Sequence, residues 1–253
     1  MSGAASPAHR AAPRCPAGSR VALYYVPARD SAWWAAGCEW LGRDPESGAA
    51  LMPPLVPALD ARGLDVTQLT RAPRRYGWHG TLLAPAHLPE DLAFDALLAH
   101  ARDWARRQTP FDLPVTVDAL GRFVALRPAT DAAAHAMRAL AADALHAFAP
   151  WRAMPSAAER ARRLDAGLSE RQQALLERWG YPYVLDEFRF HMTLSDSIDT
   201  PEREILIDWW RSREAALGAL RIAQVGLFVE PQRDASFTLV ARLPLGNPQA
   251  GGA

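Results

Sequence analysis

The chain predicts an α+β fold in which two pseudo-symmetric lobes, each an antiparallel sheet flanked by helices, face one another across a cleft. Three observations carry that expectation. Short stretches alternating with period two stand between longer stretches of helical periodicity, as in a mixed architecture. Two of the strands bear one pattern, His79-Gly80-Thr81-Leu82 and His191-Met192-Thr193-Leu194. Each is followed by a helix and then a β-hairpin, with Pro89-Glu90 and Pro201-Glu202 at equal distances beyond the two histidines.

Taken in order, residues 21–26 are apolar, stop at Pro27 and read as a strand. Asp30 or Ser31 caps a helix carrying Trp33, Trp34, Trp40 and Leu41. Residues 43–65, with Gly48 and Pro53-Pro54, read as loop. A strand over 75–83 ends before Pro85. Residues 90–108 form a helix with Phe94, Leu97, Leu98, Ala101 and Trp104 on one face. Strands at 115–120 and 122–127 turn at Gly121. Helices follow over 130–148, 155–163 and 168–179. A strand over 188–195 leads to a helix over 201–217, whose Pro and Glu suit a first turn. A hairpin of 220–229 and 236–243 closes the fold. One bilobal domain over 20–245 is expected: a first repeat near 75–128, connecting helices near 130–180 and a second repeat near 187–244. Residues 1–19, rich in Ala, Pro, Gly and Arg, are expected to be a disordered tail, and 246–253 a second tail.

Basic and acidic residues balance at 28 each. That excludes the broad basic face by which proteins grip long nucleic acid and leaves a small anionic ligand held by local cations. Two cysteines, Cys15 and Cys38, make neither a disulfide framework nor a zinc cluster and point to reduced thiols in the cytoplasm. No apolar run approaches the ~20 residues of a membrane span. No His/Asp/Glu cluster has metal-ligand spacing, so neither metal nor cofactor is expected, and the sequence is silent on oligomeric state.

Alternation along a strand sets residues i and i+2 on one face. His79 and Thr81 therefore share a face, joined by Arg75 and Gly77, while Tyr76, Trp78, Gly80 and Leu82 turn to a core. In the second strand Arg189, His191 and Thr193 oppose the apolar Phe188, Phe190, Met192 and Leu194. Two such units brought together would set two imidazoles over one site. Histidine titrates near neutrality, so one ring can take a proton while the other gives one. Thr81 and Thr193 would donate to phosphate oxygens, and Arg189 would add a charge-assisted contact. His79, His191, Thr81 and Thr193 are thus the expected catalytic residues, with Arg189 and Arg75 on the substrate. His9, His87, His100, His135 and His146 read as structural, and most of the nine tryptophans as core. Asp186-Glu187 reads as solvated, and Arg160, Arg162 and Arg163 as a wet helix face. No Gly-rich phosphate loop is present.

With both motifs in view, the chain resembles the two-histidine (2H) phosphoesterase superfamily, whose mark is a pair of His-x-Thr/Ser-hydrophobic motifs. It is most similar to an uncharacterised branch encoded with phosphonate-degradation operons, through Arg75-Tyr76-Gly77-Trp78-His79, Trp179-Gly180-Tyr181-Pro182-Tyr183-Val184, Phe188 to Leu194, Leu41-Gly42-Arg43-Asp44 and Leu168-Ser169. The resemblance spans roughly residues 20–245. It implies the bilobal RNA ligase-like fold and a metal-independent hydrolase that opens a cyclic phosphodiester of a small sugar phosphate or nucleotide in phosphonate metabolism, with Tyr183 as a further substrate contact. An RNA 2′-5′ ligase-like or end-processing enzyme and a non-catalytic phosphometabolite binder are the alternatives. The branch carries Ala where Gly80 stands, a harmless change, and Lys where Leu83 stands. Alternation puts Leu83 in the cleft, leaving that position without a phosphate contact. Residues 151–179 are expected to close over the cleft and set specificity.

Overall fold

A computed structural model of the chain describes residues 15–246. The first strand, β1 (Arg20–Tyr25), leads into α1 (Ala32–Leu41), whose first turn is capped by the Ser31 side chain accepting from the Trp34 amide. Three short helices follow: α2 (Pro57–Asp60), α3 (Val66–Leu69) and α4 (Arg71–Tyr76). Next come β2 (Gly80–His87), α5 (Phe94–Arg106), and strands β3 (Phe111–Leu113), β4 (Val115–Leu120) and β5 (Phe123–Pro128). The connecting helices are α6 (Asp131–Phe148), α7 (Ala157–Leu164) and α8 (Glu170–Trp179). The chain closes through β6 (Met192–Thr193), α9 (Thr200–Leu217), β7 (Leu220–Ile222), β8 (Gln224–Glu230) and β9 (Thr238–Pro244).

The architecture is mixed α+β with antiparallel sheets, as expected. Seven strands form one sheet in the order β4-β5-β6-β2-β1-β8-β9, and β3 pairs with β7 in a small second sheet. The sequence suggests a separate sheet for each half. Instead the two motif strands are hydrogen-bonded to each other, with Gly80 opposite Met192. Strands from both halves therefore run continuously through one sheet.

Packing explains the pairing. Phe188, Phe190, Met192 and Leu194 are all buried, the apolar alternation read from the sequence. Beneath them lies a tryptophan cluster: Trp210 touches Trp33, Trp40, Trp78 and Trp209, with ring centroids 5.3 to 6.5 Å apart. The Trp40 indole N–H donates to the Leu194 carbonyl at 2.7 Å, tying α1 to the second motif. Strand β6 is shorter than the predicted 188–195. At its end the Ser195 hydroxyl, not a backbone carbonyl, accepts from the Val124 amide at 2.9 Å, which ends the ladder.

Several local expectations are corrected. The first motif strand begins at Gly80, not at residue 75. Arg71 to Tyr76 are helical, and the helix stops at Gly77, whose φ of 79° favours glycine. Strand β2 also runs past Pro85 to His87, which an irregular register with β1 accommodates. Pro89-Glu90 precedes α5, which starts only at Phe94, whereas Pro201-Glu202 lies in the first turn of α9. Their equal spacing does not mark equivalent helix starts. The predicted strand 220–229 is two strands in different sheets, broken at Ala223. Most of the expected tails, with His9, fall outside the described residues. Ser19 is buried, and its hydroxyl donates to the Pro16 carbonyl at 2.6 Å.

Candidate functional site

The site is built on the pairing of β2 with β6. One step either side of Gly80 and Met192, the antiparallel register sets His79 opposite Thr193 and Thr81 opposite His191. Residues opposite each other share a face, and the diagonal pair, here the two histidines, stand roughly 7–8 Å apart at their backbones. Two imidazoles and two hydroxyls thus stand on one face of the sheet, making a quadrilateral.

Both rings are held in the same way. His79 Nδ1 lies 2.8 Å from the Gly77 carbonyl and His191 Nδ1 lies 2.8 Å from the Arg189 carbonyl. Since a carbonyl only accepts, each Nδ1 carries its proton, and each Nε2 of the neutral ring is left as an acceptor. His79 Nε2 is 3.3 Å from the Thr81 hydroxyl. The Tyr24 ring packs 4.0 Å from the His79 ring, centroid to centroid. Burial lowers His79 to about 4; its bond to Gly77 opposes that fall, and the charge of His191 adds to it. Burial likewise lowers His191, with the bond to Arg189 opposing the effect and the Arg127 cation adding to it. Both rings are therefore neutral bases near pH 7.

Beside the quadrilateral is a cavity of about 490 Å³, lined by Thr81, His191, Arg189, Tyr181, Tyr183 and Glu187 among others. Of the expected site residues, Thr81, His191, Arg189 and Tyr183 line it, and His79 and Thr193 do not. Nor does Arg75. Its helix turns it away, and its guanidinium is bound to Glu230 at 3.2 Å and Asp234 at 3.1 Å. Glu187, read from the sequence as solvated, lines the cavity and accepts from the Gln172 side-chain amide at 2.9 Å. Gln172, on α8, brings the segment between the two motifs into the wall.

Leu83 is also corrected. Tyr24 pairs with Thr81 but Leu23 with Leu83, so Leu82 is an extra residue, a bulge. The bulge reverses the alternation, and Leu83 leaves the face that carries Thr81. It is buried and lines a different, apolar cavity with Leu97 and Phe148. No phosphate contact is lost from the cleft by its being leucine. Gly80 is not an indifferent position either: a Cβ there would fall 2.4 Å from the Phe190 ring.

Tyr24 and Tyr181 are site residues that the sequence reading does not single out. Tyr24 lies in a run that reads as wholly apolar, although alternation from Arg20 was available to place it on the polar face. Tyr181 stands between helices, where no periodicity assigns a direction. Among the described residues, no group of three His, Cys, Asp or Glu side chains could hold a metal ion, and no helix is long and apolar enough to cross a membrane.

Comparison with known proteins places the chain. Two curated relatives carry the name ribose 1,5-bisphosphate phosphokinase PhnN. The protein of Laribacter hongkongensis (strain HLHK9) is 38% identical over 228 residues, 87% of this chain and 50% of its own length. That of Janthinobacterium sp. (strain Marseille) is 36% identical over 236 residues, 89% of this chain and 51% of its own length. The chain thus spans about half the length of the curated relatives it matches. Similar solved folds include TT0787 of Thermus thermophilus, at 14% identity and a TM-score of 0.44, covering 90% of this chain and 99% of that one. A protein described as a phosphoesterase aligns at 12% identity and a TM-score of 0.38, covering 90% of this chain and 99% of that one.

The relatives' names correct the expected activity. A phosphokinase transfers a phosphoryl group and is not a hydrolase, so the expectation of an enzyme that hydrolyses a cyclic phosphodiester is withdrawn along with its alternatives. The recognition made from the motifs stands, with PhnN relatives and a match over residues 81–238 to the family described as "Protein of unknown function (DUF1045)". The chain belongs to the DUF1045 family.

Proposed function

We propose that this chain binds a phosphorylated ribose between His79 and His191 and serves the acceptor side of a phosphoryl transfer in phosphonate metabolism. One observation carries the reading: the register of β2 on β6 sets two neutral imidazoles and two threonine hydroxyls on one face beside a cavity lined by Arg189. Thr81, Thr193 and Arg189 hold the phosphate by charge-assisted and hydroxyl hydrogen bonds. His79 Nε2 takes the proton of the sugar hydroxyl as its oxygen bonds to the donor's terminal phosphorus and the bond from that phosphorus to the donor's bridging oxygen breaks, the shortened donor leaving with that oxygen's electron pair. His191, once protonated, neutralises charge on the bound phosphate. Tyr183 stacks on the sugar at the exposed rim.

The donor side is assigned elsewhere. All 28 basic residues of the chain are arginine, so the lysine with which phosphate loops and kinase folds hold a nucleotide's phosphates is missing. The other half of the longer relatives is where such a site belongs in this reading. The two free cysteines fit a reducing, cytoplasmic setting.

Calorimetric titration of the full chain with ribose 5-phosphate, ribose 1,5-bisphosphate and unphosphorylated ribose tests the reading. Phosphorylated ribose should bind and ribose should not, and His79→Ala and His191→Ala should each weaken binding about tenfold or more. Equal affinity for ribose and its phosphates, or no binding of any, would overturn it.

A further inference from the structure

A second cleft adjoins the first, and its chemistry is cationic. It is small, about 30 Å³, and is lined by Arg20, His87, Arg152, Glu159, Arg163 and Tyr181 among others. A water molecule needs ~10–15 Å³ of such space, so the cleft suits one small anion and not a sugar or a base. Tyr181 stands in the walls of both this cleft and the cavity beside His191.

Arg152 is the unusual member. Its Nη1 is buried and has no hydrogen-bond partner among the described residues. Burial pulls the guanidinium down to about 10; the nearby charges are Tyr181 and, with opposing sign, Arg163. No carboxylate compensates it among the described residues. A buried cation without a counter-charge is costly, and a fold that keeps one beside a second arginine has the makings of an anion site.

The neighbours are fixed around it. The amide of Ala153, the next residue, donates to the His87 carbonyl at 2.8 Å, which pins the turn bearing Arg152 to the end of β2. Arg163, on α7, lies over the Tyr181 ring at 4.8 Å and makes no ion pair among the described residues. The two carboxylates nearby are already engaged. Glu159 accepts from the Ser156 amide at 3.2 Å and from its hydroxyl, and Glu230 holds Arg20 at 2.5 Å and Arg75 at 3.2 Å.

We propose that Arg152 and Arg163, with the Tyr181 hydroxyl between the two clefts, form a second phosphate subsite that receives the distal phosphate monoester of a bisphosphorylated substrate. The geometry rests on the preceding reading for the sugar and first phosphate, but the subsite itself does not depend on the histidines. Selection for a bisphosphate over a monophosphate would then lie in residues that neither histidine motif contains.

The test separates the two readings. Inorganic phosphate is titrated into the His79→Ala/His191→Ala double variant, with and without Arg152→Met or Arg163→Ala. The double variant should still bind phosphate, and each arginine substitution should weaken that binding about tenfold. Arg163, only half-buried on a surface helix, covers the case in which Arg152→Met fails to fold. In the chain with both histidines, the same substitutions should reduce affinity for ribose 1,5-bisphosphate about tenfold while leaving ribose 5-phosphate within about twofold. If phosphate binding vanishes with the histidines, or if neither arginine affects phosphate or bisphosphate, the subsite is overturned even though the sugar site stands. If the arginines govern phosphate binding but no ribose phosphate binds, the subsite survives and the sugar reading falls.

Discussion

At the scale of single residues, the protonation of two histidines decides what the site can do. Each Nδ1–H is spent on a carbonyl two residues earlier, so each Nε2 is offered as a base. Burial sets the direction of their titration. With His79 lowered to about 4 from an ordinary 6.5, the unfolded chain binds a proton between those values that the folded chain refuses. Stability from this group is complete above pH 6.5, falls as the pH drops and is lost near pH 4. Melting temperature measured from pH 7 to 4 should fall, and His79→Asn should make that slope shallower than in the unsubstituted chain. An identical slope in both would contradict the assigned burial of the ring. The His-x-Thr faces were legible in the sequence because alternation is a local property of two or three residues. Arg75 was misplaced because alternation was carried back through Gly77, where a helix with arginines in its last turn gives way to a different backbone direction.

At the scale of elements, the contact of β2 with β6 is made close by Gly80. The Phe190 ring occupies the space that a Cβ would need, so Gly80→Ala must displace a buried aromatic side chain. Overpacking of this kind costs about 1–3 kcal/mol. Denaturant unfolding should show a loss of that size, and Phe190→Leu in the same chain should return part of it. Alanine tolerated at no cost would mean that the strands sit further apart. The bulge at Leu82 has the opposite legibility. Nothing in Thr81-Leu82-Leu83 announces it, since it exists only in the register with β1. For that reason Leu83 was assigned to the wrong face, while Leu82 and Ala84 line the cavity with Thr81. The helices connecting the two halves were well marked by their caps, Thr130, Ser156 and Ser169, each side chain accepting a backbone amide in the first turn.

At the scale of the molecule, the sheet joins what the sequence presents as two repeats. Order and alternation suggested matched halves, but a single β2–β6 contact, made by residues more than a hundred positions apart, puts both histidines on one face. Long-range pairing of this sort leaves no local trace, and the residues it recruits from other segments, Tyr24, Gln172, Tyr181 and Arg152, were the ones that local pattern did not reveal. The curated relatives are about twice as long as this chain, which matches about half of each.

The most direct test is nitrogen-15 spectroscopy of histidine-labelled chain titrated with ribose 5-phosphate at pH 7. Without ligand, His79 and His191 should both show the Nδ1–H tautomer of a neutral ring, and both Nε2 signals should move together with one midpoint as ligand is added. Protonated Nε2 in the free protein, or movement of only one ring, would contradict a shared site.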